Sequence, residues 1–425
     1  MRREATEVLV VGGGPAGLAA AEAAATAGRR VCMLDDNPAL GGQIWRRDTR
    51  NAEARGNQHV DRRRAALLEA GVDIRSGTAV VDAHGPDALW AYDGDALTQW
   101  RADRVILATG ARERTLPFPG WTRPGVFGAG GLQALSKAGL EVEGKRVVVA
   151  GTGPLLLAVA TSLQQRGAKV LGVFEQASHA RFVRFGLGLW AQPAKLLQGM
   201  AFGARLPLRL GSWIARAEGD PALTHVVVCN ARGRERTLEC DLVACGFGLV
   251  PETRLARLLG CRVEDHVVVD ELQRTDAPGV LAAGEPCGVG GEDKALCEGR
   301  IAGLVAADRA DEARPLLAQR DRYRAFARRM ARDFALREQL RELPEPDTLV
   351  CRCEDVPLRA LNGFDRARAA KLGSRCGMGP CQGRVCQPAI RFLLGHGHDR
   401  PRPPLVPLPL GVMAELQSIN QGSSS

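Results

Sequence analysis

Tyrosine is almost missing from this chain of 425 residues, which holds two, and lysine supplies only six of its 57 basic side chains. So few tyrosines leave little with which to build the aromatic platforms that stack single-stranded bases. The net charge of +9 is therefore not read as nucleic-acid binding. The excess is also local, since residues 351–400 carry nine basic against four acidic side chains. No long apolar run is present. The most apolar region, Val147–Leu163, is broken by Gly151 and Gly153, which excludes a membrane span there. No secretory leader precedes the strand that begins at Val8, and Met1–Glu7 is charged. No C-x-x-C pair of the redox-active kind occurs before residue 351, where the one C-x4-C spacing is Cys240 to Cys245. The twelve cysteines are uneven, with five between Cys351 and Cys386, unlike a secreted disulfide framework. Together these absences point to a reducing cytoplasm. The seven histidines are scattered, and His396 and His398, flanking Gly397 on an expected exposed loop, make a poor metal pair. No acid–base constellation stands out, so no catalytic residue is nominated.

What is present is an internal repeat. Glu7–Leu34 and Lys145–Phe174 each read as strand, glycine turn, small-residue helix, strand. Two such units predict an α/β protein with two dinucleotide-binding folds. In the first, Gly12-Gly13-Gly14-Pro15-Ala16-Gly17 fits G-x-G-x-x-G between a strand and a helix. Gly12 permits the tight turn, Gly14 lets a pyrophosphate approach, and Gly17 lets helix and strand close together. Pro15 and Ala16 open a helix whose N–H groups face the phosphates. Asp35 ends the following strand, where a carboxylate accepts from a ribose hydroxyl.

The second unit, Gly151-Thr152-Gly153-Pro154-Leu155-Leu156, lacks the third glycine. Leu156 is expected to push the helix off its strand, which weakens the case for a nicotinamide cofactor. Glu175 ends the next strand and favours NAD over NADP if anything binds. Another adenine nucleotide at Gly151, Gly153 and Glu175, or a fold kept for packing alone, are the alternatives.

Near the end, Cys351-Arg352-Cys353 and Cys381-Gln382-Gly383-Arg384-Val385-Cys386 form two close thiol pairs, with Cys376 beside them. Four thiolates suit a 2Fe–2S cluster or a structural zinc. C-x-C and C-x4-C spacings are unusual for zinc. Glycines at 377, 379 and 383 let backbone N–H groups approach sulfur, and the local arginines offset thiolate charge, which favours iron–sulfur.

Resemblance adds to this reading. Gly41-Gly42-Gln43, Val105-Ile106-Leu107-Ala108-Thr109-Gly110 and Ala282-Ala283-Gly284-Glu285 resemble the flavoproteins that include glutathione reductase and thioredoxin reductase. That resemblance implies FAD at the first site, with Gly42, Gln43, Thr109, Gly110, Gly284 and Glu285 beside it. Glu285 stands where that family has an aspartate on the ribityl chain and phosphate. Cys351-Arg352-Cys353-Glu354 and Arg375–Cys386 look like a bacterioferritin-associated-ferredoxin-like 2Fe–2S module, in the version fused to FAD-dependent α subunits of opine oxidases, hydrogen cyanide synthase and D-hydroxyproline dehydrogenase. Pro117–Thr122, Cys245–Pro251, Glu298–Gly303 and Val406–Gly411 match the same family, so the resemblance runs through essentially the whole chain. It implies Cys351, Cys353, Cys381 and Cys386 as cluster ligands and Cys376 as a spectator. The stretch between Cys353 and Cys381 is shorter than in the family by about one helical turn.

The implied organisation is α/β: two nested Rossmann-like domains and a small C-terminal helical and loop 2Fe–2S domain. Residues 1–121 and 246–312 would bind FAD, and 122–245 would form the NAD(P)-like domain. Residues 313–347 would be a helical linker with a solvated arginine face, 348–395 the cluster domain, and 396–425 an extended Pro-rich tail, disordered from Gln421. The implied role is an electron-transferring α subunit of an amino- or imino-acid dehydrogenase. Its catalytic partner would be a flavoprotein β subunit resembling D-amino-acid and glycine oxidases. A small third subunit would be a further partner, and the final acceptor is unidentified. The implied location is cytoplasmic, with docking at the inner membrane face as a variant. The rival is a self-sufficient NAD(P)H-dependent reductase, and a scaffold with structural zinc is the non-enzymatic alternative.

Overall fold

The computed structural model describes residues 2–189, 206–397 and 401–422. The chain divides into two compact units, residues 1–112 with 251–327 and 400–425, and residues 113–250 with 328–399. The chain crosses between the units at 112/113 and 250/251.

The first unit is built on a seven-stranded sheet. β1 (Arg2–Val11) lies between β2 (Val31–Asp35) and the long β6 (Leu97–Leu107), parallel to both. β3 (Asp73–Ser76) extends the parallel edge, while β4 (Ala79–Gly85) and β5 (Ala88–Tyr92) add an antiparallel meander on β6. The late strand Val280–Ala282 returns to pair with Val105–Leu107 of β6. Val8–Val11 and Val31–Asp35 are buried without alternation, as a parallel sheet covered on both faces requires. The helices α1 (Pro15–Thr26) and Glu292–Ala306 pack closely, because Gly299 and Gly303 let α1 backbone approach them.

The second unit repeats the theme with a five-stranded parallel sheet, ordered Leu208–Leu210, Lys169–Glu175, Arg146–Gly151, Leu242–Gly246, Val126–Gly128. A three-stranded antiparallel sheet spans Ser212–Glu239. The cysteine segment belongs to this unit and has a small core of its own, including Val350, Val356, Leu361, Ala370 and Ile390.

Three expectations need correction. The tail is not extended throughout, since Leu410–Gly422 is a helix. The prolines stop at Pro409, and beyond them Val412 and Leu416 pack on Val81, Trp90 and Leu97 of the first sheet. Gln421 and Gly422 fall in that helix; Ser423–Ser425 lie outside the described residues. The arginine face of the helix Leu317–Asp333 is only partly solvated. Arg322, Arg328 and Arg332 are exposed, but Arg324 bonds Glu298 Oε1 (2.8 Å) and Gln273 Oε1 (2.6 Å) in the first unit. His396 is buried, with Nε2 2.9 Å from the Phe364 carbonyl oxygen, and His398 lies outside the described residues.

Candidate functional site

The first glycine motif sits at the carboxyl ends of parallel strands, where α/β sheets open a ligand crevice. β1 delivers Gly12 and Gly14, and α1 starts at once at Pro15 with no side-chain cap, so its first N–H groups face outward for an anion. Gly17 is obligatory, because an added Cβ would fall on the Gly12 carbonyl oxygen. Asp35 is buried at the end of β2 and accepts from Gly13 N (2.7 Å) and from the backbone and side-chain nitrogens of Asn37 (2.8 and 2.9 Å). Oδ2 has a single protein partner, which leaves it room for a ligand hydroxyl.

Other elements close on the same crevice. Gly42 lies against Gly14, and an added Cβ there would come 3.0 Å from the Gly14 Cα. The neighbouring Gln43 Oε1 accepts from Arg46 Nη2 (3.0 Å). Thr109 and Gly110 follow the end of β6, where Thr109 Oγ1 donates to the Glu252 carbonyl (2.7 Å) and Gly110 O accepts from Glu252 N (3.0 Å). Gly284 abuts α1, since a Cβ there would come 2.7 Å from that of Ala16. Glu285 turns one oxygen back onto Gly290 N (3.1 Å) and Gly291 N (2.8 Å). Its other oxygen, and Nε of Arg46, are buried without a partner. Burial pushes the Glu285 carboxyl pKa up. An uncapped helix end, a close-packed glycine cradle and orphaned polar atoms are what a phosphate- and hydroxyl-bearing group would complete, so these residues fit a dinucleotide.

The Gly284 turn rests on a buried ion network. Lys294 Nζ donates to Gly284 O (2.8 Å) and Glu298 Oε2 (2.7 Å), Gly284 N donates to Glu298, and Arg324 completes the set.

The second glycine motif differs. Leu156 does not push its helix away wholesale. It is buried, and the space comes from Gly246 on the facing strand, where a Cβ would stand 3.0 Å from Leu156 Cδ2. The helix start is altered instead: it begins at Leu155, and Leu156 N and Leu157 N reach back only three residues, to Gly153 O and Pro154 O. Glu175 accepts from Gly153 N (2.6 Å), Ala177 N (2.7 Å) and Thr152 Oγ1 (3.0 Å), the same count of donors as Asp35. Burial pushes its carboxyl up to about 7, against the pull of those donors and of Arg337.

At the third site the Sγ atoms of Cys351, Cys376 and Cys386 all lie within 4.8 Å of one another, all three buried. Cys353, which is exposed, and the partly buried Cys381 are neighbours outside that buried trio. Cys376, a spectator on the sequence reading, thus stands among the clustered thiols, carried there by the turn after the helix Ala367–Ser374. Gly379 makes the fit possible, as its Cβ would come 2.5 Å from that of Cys353. Trp121 braces the cluster strand: its Nε1 donates to Leu349 O (2.6 Å), and the Arg352 guanidinium lies 5.9 Å from its ring centre. Thiols so gathered suit a soft metal centre.

Two dinucleotide folds in one chain, with small-residue turns at strand ends, define a two-domain flavoprotein oxidoreductase. Residues 6–308 match the model of the pyridine nucleotide-disulphide oxidoreductases. An opine oxidase subunit of Rhizobium meliloti is 33% identical, over 96% of this chain and 98% of its own. Hydrogen cyanide synthase subunit HcnB of Pseudomonas protegens is 32% identical, over 94% and 96%. Among solved structures, L-proline dehydrogenase from P. horikoshii superposes with a TM-score of 0.67 at 20% identity, covering 97% of this chain and 80% of that one. Thioredoxin reductase of T. acidophilum superposes at 0.55 and 23% identity, covering 72% and 99%. The chain belongs to the pyridine nucleotide-disulphide oxidoreductase family, in the branch that holds HcnB and the opine oxidase relative. The resemblance read from the sequence is borne out, as is the α/β fold. No helix among the described residues is long and apolar enough to cross a membrane.

Proposed function

We propose that the chain is the electron-transferring subunit of a heteromeric dehydrogenase for amino or imino acids of the opine or D-hydroxyproline kind. It would accept electrons from a catalytic flavoprotein subunit resembling D-amino-acid and glycine oxidases. The observation that carries this reading is the union, in one chain, of the dinucleotide crevice with a buried group of thiols. FAD takes up two electrons and a 2Fe–2S cluster moves one, so the pair converts hydride-level chemistry to single-electron transfer. FAD would be held by Gly12, Gly14, Pro15, Ala16, Gly17, Asp35, Gly42, Gln43, Thr109, Gly110, Gly284 and Glu285. The cluster would be held by Cys351, Cys353, Cys381 and Cys386. The α1 N-terminus would orient the phosphates, and the Lys294–Glu298 pair would keep the Gly284 turn against them. HcnB and the opine oxidase relative are each named as one subunit of a larger enzyme, which supports a partner here too.

Metal and flavin analysis of the purified chain tests the cofactor half. Iron and acid-labile sulfide in equal amounts, together with FAD, are expected. Zinc without iron would favour the scaffold reading and sink this one. Affinity capture of the chain from its native cells tests the partner half. A stoichiometric flavoprotein whose flavin is bleached by an amino or imino acid is expected, and a chain that purifies alone and is fully active would contradict it.

A further inference from the structure

The second dinucleotide fold has a lining that the first lacks. In the first, the residue between the two glycines is Gly13, which has no side chain to reach a strap and packs its backbone against Asp35 and Leu40. In the second, the matching residue is Thr152. Its hydroxyl bonds Glu175 and also lies 3.1 Å from the carbonyl oxygen of Phe334. Gln176, the residue after the acid and fully buried, donates to Thr152 Oγ1 (2.8 Å) and to Ala335 O (3.2 Å), and its Oε1 accepts from Arg337 N (3.2 Å). Arg181 Nη1 donates to Ala335 O as well (3.1 Å). The Phe334 ring is wedged edge-on against Phe185 and Phe182, at 4.8 and 6.4 Å between ring centres. Just before it, Asp333 is buried and held by Arg184 and Arg332. Just after it, the Arg337 guanidinium lies 5.6 Å from the Trp213 ring centre. All these residues belong to the second unit.

We propose that this strap, Phe334–Arg337, takes the place of the adenosine half of a dinucleotide, so that the second fold is closed to nucleotides and the chain draws no electrons from a soluble nicotinamide. Glu175 carries three protein donors, as Asp35 does, and what differs is the chain's own backbone held on the flanking Thr152 and Gln176. A nucleotide could enter only by breaking at least four strap hydrogen bonds and withdrawing a buried phenylalanine. The last clause of the proposal rests on the electron-transfer reading: the reductant must then be a carrier borne by a protein, delivering to the first site.

Two measurements on the full-length, flavin-loaded chain test it. Equilibrium dialysis with NADH, NADPH and ATP up to about 1 mM is expected to give no saturable binding. Hydrogen exchange in 150–158 and 333–338 is expected to be unchanged by these nucleotides. Saturable binding that alters exchange in those two segments would overturn the proposal. Gln176→Ala removes the acceptor of the Arg337 amide, so exchange at that amide should rise at least about tenfold. Unchanged exchange there would mean that the strap is not seated on Gln176, and would overturn the proposal equally. Neither outcome depends on iron content, so the electron-transfer reading and the strap can fail separately.

Discussion

Glu298→Ala takes the shared carboxylate from two cations inside the first unit and strands one of them. Glu298 is fully buried and receives Lys294 Nζ at 2.7 Å, Arg324 Nε at 2.8 Å and Gly284 N at 3.1 Å. Lys294, at 2% exposure, has no route to water without local unfolding, whereas Arg324, at 23% for its side chain, can swing outward. Removing one partner of a buried pair costs about 3–5 kcal/mol, mostly for the charge left behind. That is a large part of the roughly 5–15 kcal/mol that holds a domain folded. Because Lys294 and Glu298 together clamp Gly284, flavin should be lost with the same transition. Urea unfolding followed by flavin fluorescence and by circular dichroism reads both. Lys294→Met combined with Glu298→Leu removes the stranded charge and should recover at least about 1–2 kcal/mol of the loss. A single variant costing under about 1 kcal/mol, or a double variant no better than the single one, would refute the reasoning about the stranded charge.

Four further outcomes are expected. On the proposed ligand set of Cys351, Cys353, Cys381 and Cys386, Cys386→Ser should lose most of the bound iron, while Cys376→Ala should retain it; iron per chain decides. Between pH 5 and 8 stability should fall as pH rises. Glu175 has a folded value of about 7 against 4.5 in the open chain, so the folded state holds the extra proton and its advantage, up to about 3 kcal/mol, disappears through pH 7. Glu175→Gln should flatten that slope in urea midpoints taken across the range. Trp121→Phe removes the donor to Leu349 O and should cost about 1 kcal/mol while shifting the midpoint potential of the cluster, read by redox titration. Leu416→Ala, at a side chain 4% exposed against Trp90 and Leu97, should cost about 2–4 kcal/mol in unfolding of the first unit.

Local signals are legible in the sequence. A strand, a glycine turn and a small-residue helix are short-range features, so the first dinucleotide fold can be read from Val8 to Asp35. The paired thiols from Cys351 to Cys386 are as plain. What escapes depends on residues far apart in the chain. Leu156 reads as a defect because its compensating glycine, Gly246, lies on a strand that meets it only in the folded sheet. The strap escapes because Phe334–Arg337 has no motif, and its fit to Gln176 and Thr152 exists only after folding. Cys376 falls outside the paired spacing, yet a turn brings it beside Cys351 and Cys386. The late helix hides behind the prolines before it. The signal available is the absence of proline after Pro409, with Val412 and Leu416 spaced four apart.

Anaerobic reduction of the purified chain, followed by absorbance, tests the central claim most directly. Dithionite should bleach both the flavin and the cluster bands, and NADH or NADPH should bleach neither, leaving the electrons to be supplied by a partner flavoprotein. Rapid bleaching by either nicotinamide would make the chain a self-sufficient reductase and contradict the electron-transfer role.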